Sequence, residues 1–201
     1  YNKEWQPRKE KGNVEWVAHE EEINLSGSDT WMLLSRSKFF LTRLKKICRQ
    51  QGYGYKMYGQ SSIDNEFTHA IESWEKLRRD TRISVSEVKN LIRFISQKIS
   101  LPTLKDYGIA DLGFTTAAKQ HDWMTVLREI PPEEREYLRA CLRNGEKFGT
   151  EPRILVSTIH QVKGGEADNV VLVTDMGKLS WLNSTKDEEI RVWYVAITRA
   201  R

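Results

Sequence analysis

Three features of the sequence predict an α/β fold: a parallel sheet flanked by helices and interrupted by a short all-helical insertion. Apolar, β-rich runs occur towards both ends, TWMLLSR at 30–36, RILVSTIH at 153–160 and NVVLVTD at 169–175. The first is followed by a helix-patterned stretch and a further β-like run, the strand–helix–strand order of half an α/β sheet. Between these ends lie four helix-like stretches, which divide the chain into 1–61, an insertion at 62–149, and 150–201.

GNVEWVAHEEEINL at 12–25 alternates apolar and polar around Val14, Trp16 and Ala18, as a half-buried strand does. TWMLLSR is a short continuous apolar run, suited to a strand covered on both faces. In SKFFLTRLKKICRQQG, Phe40, Leu41, Leu44, Ile47 and Cys48 recur at helical spacing, and Gly52 is a natural stop. YGYKMYG at 53–59 then reads as a strand.

Within the insertion, helices are expected over 65–79, 84–99, 117–130 and 131–146, with SLPTLKDYGIADLGFTT at 100–116 as a loop-like break. Ser84 with Glu87 resembles a capping box, and Pro132 suits a helix start. After NGEKFGTEP the strand pattern returns. A polar linker, WLNSTKDEE, leads into a closing helix, IRVWYVAITRAR at 190–201. At ~100° per residue, Ile190, Trp193, Tyr194 and Ile197 make one stripe expected to be buried. Arg199 comes out ~180° from Ile190, so it is expected to point away from the core, at water, a ligand or another domain.

The 201 residues are 39% hydrophobic and 30% charged, which excludes wholesale disorder. A net charge of +4, from 32 basic and 28 acidic residues, permits a nucleic-acid partner without a polybasic tail. Cys48 and Cys141 lie in Lys/Arg-rich, helix-like segments without metal-ligand spacing. A reduced, cytoplasmic protein with no metal site of its own is therefore expected. No apolar run approaches the ~20 residues that cross a bilayer, so no membrane partner is expected. The opening YNKEWQPRKEKG has no apolar signal core and reads like a cut inside a longer protein. His19, His69 and His121 have no partner pattern. For most of Trp74, Trp123, Trp181 and Trp193 core packing is expected rather than base stacking, which an aromatic in a groove can provide.

The most informative stretch is STIHQVKGGEADNVVLV at 157–173. A strand ends in Ser157, Thr158 and His160, a turn carries Lys163, Gly164 and Gly165, and Glu166 precedes the next strand. Ligands of open α/β sheets bind at strand ends. Adjacent glycines admit a phosphate close to the backbone, and hydroxyls and a lysine contact anions. A glycine pair alone equally fits a tight, solvated connection.

This string, with EEIRVWYVAITRAR after it at 188–201, resembles motifs V and VI of UvrD/Rep/PcrA-type superfamily 1 DNA helicases in order, spacing and context. WMLLSRSKFFLTRLKKICRQQGYGYKMYG then resembles motif IV together with the helix and strand that come after it in that family. The resemblance is strong over about 155–201, moderate over 30–80 and essentially absent over 81–150. It implies the second RecA-like motor domain of an ATP-dependent DNA helicase, with a reduced helical insertion and 3′→5′ travel. It also implies that Arg199 (motif VI) and Arg36 (motif IV) are catalytic arginines approaching the γ-phosphate of ATP. Glu166 would bind the ribose, and Gly165 belongs to the same cofactor-binding turn. Thr158, His160 and Lys163 would lie near single-stranded DNA, while Arg191 and Tyr194 match positions of more structural role. An arginine suits that chemistry because it is a permanent, planar, multi-donor cation.

No G-x-x-x-x-G-K-[ST] loop and no acidic metal-binding strand occurs in the sequence. By the resemblance, ATP with Mg2+ would be held mainly by an N-terminal motor domain, the expected partner alongside single-stranded DNA and single-strand/duplex junctions. The chain alone would then be inactive. Two other readings stand beside this one: a non-catalytic nucleic-acid-binding or docking module with a degenerate motor fold, and the helicase part of a helicase–nuclease of AddA or RecB type.

Overall fold

The computed structural model describes residues 12–162, 164–175 and 185–201. Lys163, residues 1–11 and residues 176–184, with Trp181 and the start of WLNSTKDEE, lie outside the described residues. Along the chain, strand β1 (Trp31–Ser35) leads through a 3-10 turn at Lys38–Phe40 into helix α1 (Leu41–Gln51). A hairpin of β2 (Tyr55–Met57) and β3 (Gln60–Ser61) comes next. Then come α2 (Asn65–Arg78), β4 (Ile83–Ser84), α3 (Val85–Ile92), β5 (Asp106–Tyr107), α4 (Trp123–Val126) and α5 (Pro132–Arg143). The chain then returns to the sheet with β6 (Ile154–Thr158) and β7 (Asn169–Val173) and closes on helix α6 (Lys186–Ile197).

The main sheet has the order β3-β2-β6-β1-β7. β1, β2, β6 and β7 run parallel, and β3 alone is antiparallel. This is the α/β, RecA-like arrangement of a mostly parallel sheet flanked by helices. Alternation along β1 explains the sandwich, because successive side chains point to opposite faces. Leu33 joins Leu41, Leu44, Ile47, Cys48, Ile154, Val156 and Val173 on the α1 side. Met32 and Leu34 join Ile159, Val162, Ala167 and Ala196 on the α6 side. Both faces of the strand are thus sealed, which is what its unbroken apolar run requires.

The segment at 12–25 is not a strand: Val14 and Trp16 are 80% and 84% exposed, and its one regular turn is a 3-10 helix at Glu20–Glu22. Side chains take the place of a ladder. Leu25 N donates to Gln51 Oε1 at 3.0 Å, and Gln51 Nε2 donates to the Ile23 carbonyl at 2.6 Å. The Arg153 guanidinium binds the Asp29 and Leu25 carbonyls. Alternation had no sheet edge to join, and only Ile23 and Leu25 are buried.

The insertion has a separate core of Trp74, Leu77, Ile83, Val88, Leu91, Leu127, Ile130, Leu138 and Cys141. It is not wholly helical, since β4 and β5 form a short antiparallel ladder, Ile83 opposite Tyr107. Helix α3 ends early because the chain tightens into three-residue turns, Phe94 N to Leu91 O at 3.1 Å and Ile95 N to Ile92 O at 3.3 Å, which bring both side chains to the core. The helix expected over 117–130 is instead a 3-10 turn at Thr116–Gln120 and the short α4, restarted by Asp122, whose carboxylate accepts from Thr125 N at 3.1 Å. Cys48 and Cys141 are both free and fully buried, and burial pushes each thiol up to about 12. No helix among the described residues is long and apolar enough to cross a membrane.

Helix α5 seats on the end of α1. Gly52 there has φ +72°, and a β-carbon on it would lie 2.6 Å from Ala140 Cβ and 2.9 Å from the Ala140 backbone carbon. Arg49 binds Glu134 at 2.7 Å and lies over the Tyr137 ring, whose hydroxyl donates to the Tyr53 carbonyl at 2.9 Å. Left-handed backbone and overpacking act together at Gly52, so Gly52→Ala should destabilise the chain by about 2 kcal/mol or more, read from urea midpoints. The capping box of α3 gives a second expectation. Lys76, the Ser84 amide and the Ser84 hydroxyl hold the Glu87 carboxyl down from an ordinary 4.5 to about 2. A depressed folded value means stability that is complete above about pH 5 and lost as the pH falls towards 2. Glu87→Gln should therefore lower stability at pH 7 and flatten the acid limb of a stability-against-pH series.

Candidate functional site

The parallel strands bring their C-terminal ends to one edge, where ligands of such sheets bind. Ser35 lies opposite Thr158 in the β1–β6 register, so Arg36 and Ile159 leave the sheet side by side. A 3-10 turn at Ile159–Gln161 then lifts His160 out to solvent. His160 Nε2 lies 2.7 Å from Arg36 Nη1. Arginine carries donors and no acceptor, so this bond needs a neutral imidazole with its proton on Nδ1.

The rest of the Arg36 fork is bound to α6. Nε lies 3.1 and 3.2 Å from the two Glu189 oxygens, and Nη2 lies 2.9 Å from Glu189 Oε1. Both side chains are mostly buried, 19% and 13% exposed. Glu189 carried no assigned role in the sequence. It adjoins Glu188, which closes a capping box with Thr185 (Thr185 Oγ1 to Glu188 Oε2, 2.9 Å), and two acids opening a helix read alike as caps. One residue on, ~100° further round the helix, the second acid meets the arginine instead.

Arg199 lies at the other end of α6, and here the helical wheel misleads. Ile190, Tyr194 and Ile197 are 55%, 48% and 64% exposed. The face that meets the sheet carries Val192, Val195 and Ala196, with Trp193 beside it. Arg199 continues the line of Val192 and Ala196 on that inner side. Its Nε donates to the Val195 carbonyl at 3.0 Å, Nη1 to the Gly165 carbonyl at 3.1 Å and Nη2 to Thr198 Oγ1 at 3.3 Å. Nearly every residue from Ile190 to Ile197 is apolar, so periodicity could not choose which stripe packs inward.

The glycine turn lies against this helix end. Gly164 has φ +83°, the left-handed conformation that glycine adopts without strain, and a β-carbon on Gly165 would lie 2.8 Å from Met32 Cε. Ala167 N donates to the Arg199 carbonyl at 3.0 Å, and Arg201 N to the Ala167 carbonyl at 2.9 Å. Glu166 is exposed and lies 3.8 Å from Arg201. Thr158 is buried, 6% exposed, and its hydroxyl donates to Gln161 Oε1 at 3.0 Å. Gln161 carries no signal in the sequence because only the fold turns its amide back over the strand end. Ser37 Oγ, next to Arg36, is buried without a hydrogen-bond partner.

The sequence-named residues thus form two groups. One is Arg36 with His160; the other is Arg199 with Gly165 and, through Arg201, Glu166. They are not brought together: Glu189 and Arg199 are separated by about 15 Å of helix. Lys163 lies outside the described residues, which among themselves hold no group of three metal-binding side chains.

The family model of the UvrD-like helicase C-terminal domain matches residues 34–201. No curated protein and no solved structure matches the chain.

The Arg36–Glu189 pair joins the first strand to the last helix and should be measurable as a unit. In a double-mutant cycle with Arg36→Ala and Glu189→Ala, urea unfolding should return a coupling of about 1–2 kcal/mol. The double variant should be less damaged than the sum of the two single ones.

Proposed function

Because this chain belongs to the UvrD-like helicase C-terminal domain family, we propose that it works as the second motor domain of an ATP-dependent DNA helicase. In this reading 1–61 and 150–201 form the motor and 62–149 the reduced insertion, which the separate apolar cores of sheet and insertion support. The observation that carries the proposal is the stitching of the glycine turn to the end of α6, Arg199 Nη1 to Gly165 O at 3.1 Å beside the Ala167–Arg199 bond. It sets a cation, a small-residue turn and the Glu166 carboxylate on one edge.

The donor set suits a nucleotide. Arg36 and Arg199 would bind phosphate oxygens, Gly165 would let the chain pass close, and Glu166 would accept from a ribose hydroxyl. ATP with Mg2+, held mainly by an N-terminal motor domain, would supply the phosphoryl group. Both arginines spend donors on this chain's own oxygens, about 15 Å of helix apart. To serve one terminal phosphate, at least one must exchange those partners for phosphate oxygens. Closure and bond exchange then become a single event, which links chemistry to domain movement. His160 is exposed beside Arg36, so a DNA backbone at His160 would sense the arginine's position directly. Thr158 would act by shaping the strand end from within, and Lys163 would contact phosphate.

ATPase assays of the full-length protein, with and without single-stranded DNA, test this. Turnover should be DNA-stimulated, and Arg199→Ala should lower kcat by about 10³-fold with a small change in KM. Unchanged turnover would remove Arg199 from the chemistry and favour the non-catalytic docking module.

A further inference from the structure

The same sheet edge carries an aromatic feature that the arginine chemistry does not use. Phe39 is 80% exposed and Tyr58 is 51% exposed. Lys38, also exposed, sets its Nζ 5.7 Å from the centroid of the Tyr58 ring. Phe39 is braced from behind: Phe40 meets it edge-on, centroids 5.3 Å apart, and Phe40 packs against the core under α1. The outer ring therefore stands on a fixed base.

Tyr58 occupies a costly position. It and Gly59 are the two central residues of the β2–β3 hairpin, with φ of +53° and +81°. Two-residue turns with both φ values positive favour asparagine, aspartate or glycine in the first place, and a bulky aromatic there is an outlier. Turn formation does not account for the ring. Its location points to a ligand. The β2–β6 register pairs Lys56 with Leu155, so Tyr58 comes roughly level with Ser157, and Lys38 and Phe39 flank the other side of the same strand end. The rings therefore border the row that ends in Thr158 and His160.

We propose that Phe39 and Tyr58 form a stacking platform for the bases of single-stranded nucleic acid, with Lys38 binding an intervening phosphate. The proposal rests on the motor reading of this edge and adds a base-contacting site to it. Two π-faces beside a cation match the repeating chemistry of a single strand, which offers a flat base and a phosphate at every step. A docked protein domain fits less well, because lysine is depleted at the centres of protein interfaces. A duplex keeps its base faces stacked inside and offers neither ring a partner.

The experiment measures binding of the full-length protein to a labelled oligo(dT) strand and to an abasic strand of equal length, over a salt series. The variants are Phe39→Ala, Tyr58→Asn and Lys38→Ala. Wild type should prefer the strand with bases. Phe39→Ala and Tyr58→Asn should each weaken oligo(dT) binding about tenfold, leave abasic binding and DNA-free ATPase unchanged, and keep the salt slope. Lys38→Ala should weaken both strands and reduce the salt slope by about one. Tyr58→Asn also separates binding from folding, since asparagine suits the turn and its thermal midpoint should hold or rise. Aromatic variants that keep the preference for bases, or lose both strands equally, overturn the platform. A wild type that binds neither strand overturns the motor reading, and the platform falls with it.

Discussion

Strand β1 is sealed on both faces, and the positions of the other parts depend on it. Leu33 looks to α1 and Met32 and Leu34 look to α6, so neither helix can leave without opening apolar surface. Its parallel neighbours β6 and β7 are held in the register that sets Ser35 against Thr158 and Val173. The edge on which Arg36 and His160 meet is a by-product of that alignment. Polar chemistry begins at the residue where the apolar run of β1 stops.

Helix α6 links the two groups of candidate residues. Its first turn holds Arg36 through Glu189 and its last turn folds Arg199 onto the Gly165 carbonyl, so a displacement of the helix is felt at both. Arg36 also bridges two chemistries, a carboxylate on one side and an imidazole on the other. A group that loses one of these partners changes the field at the other. This mutual dependence is the physical content of the proposed coupling between nucleotide and DNA.

Much of the sheet was legible in the sequence because its strands are buried on both sides and read as continuous apolar runs. TWMLLSR, RILVSTIH and NVVLVTD announced β1, β6 and β7 for that reason, and Gly52, Pro132 and the Ser84–Glu87 box marked helix ends by local chemistry. Where local pattern lacked a tertiary partner, it misled. The alternation around Trp16 found no strand to pair with, and the stripe through Ile190, Tyr194 and Ile197 turned outward because α6 is apolar on nearly every side from Ile190 onward. The same ambiguity reversed the expected facing of Arg199. Glu189, Gln161 and Tyr58 were illegible for another reason: their importance lies in neighbours far away in the chain or in a backbone angle, and neither leaves a mark on composition or period.

The joint between sheet and insertion has a mechanical consequence. At Gly52 the end of α1 lies so near Ala140 that not even a methyl group fits between them. Asn144 fastens the same spot by donating to the carbonyls of Gln51 and Gly52. Close-packed atoms compress very little. The coupling therefore has no backlash: any tilt of α1 would arrive in α5 at nearly full amplitude, and the insertion would follow the sheet as a stiff arm.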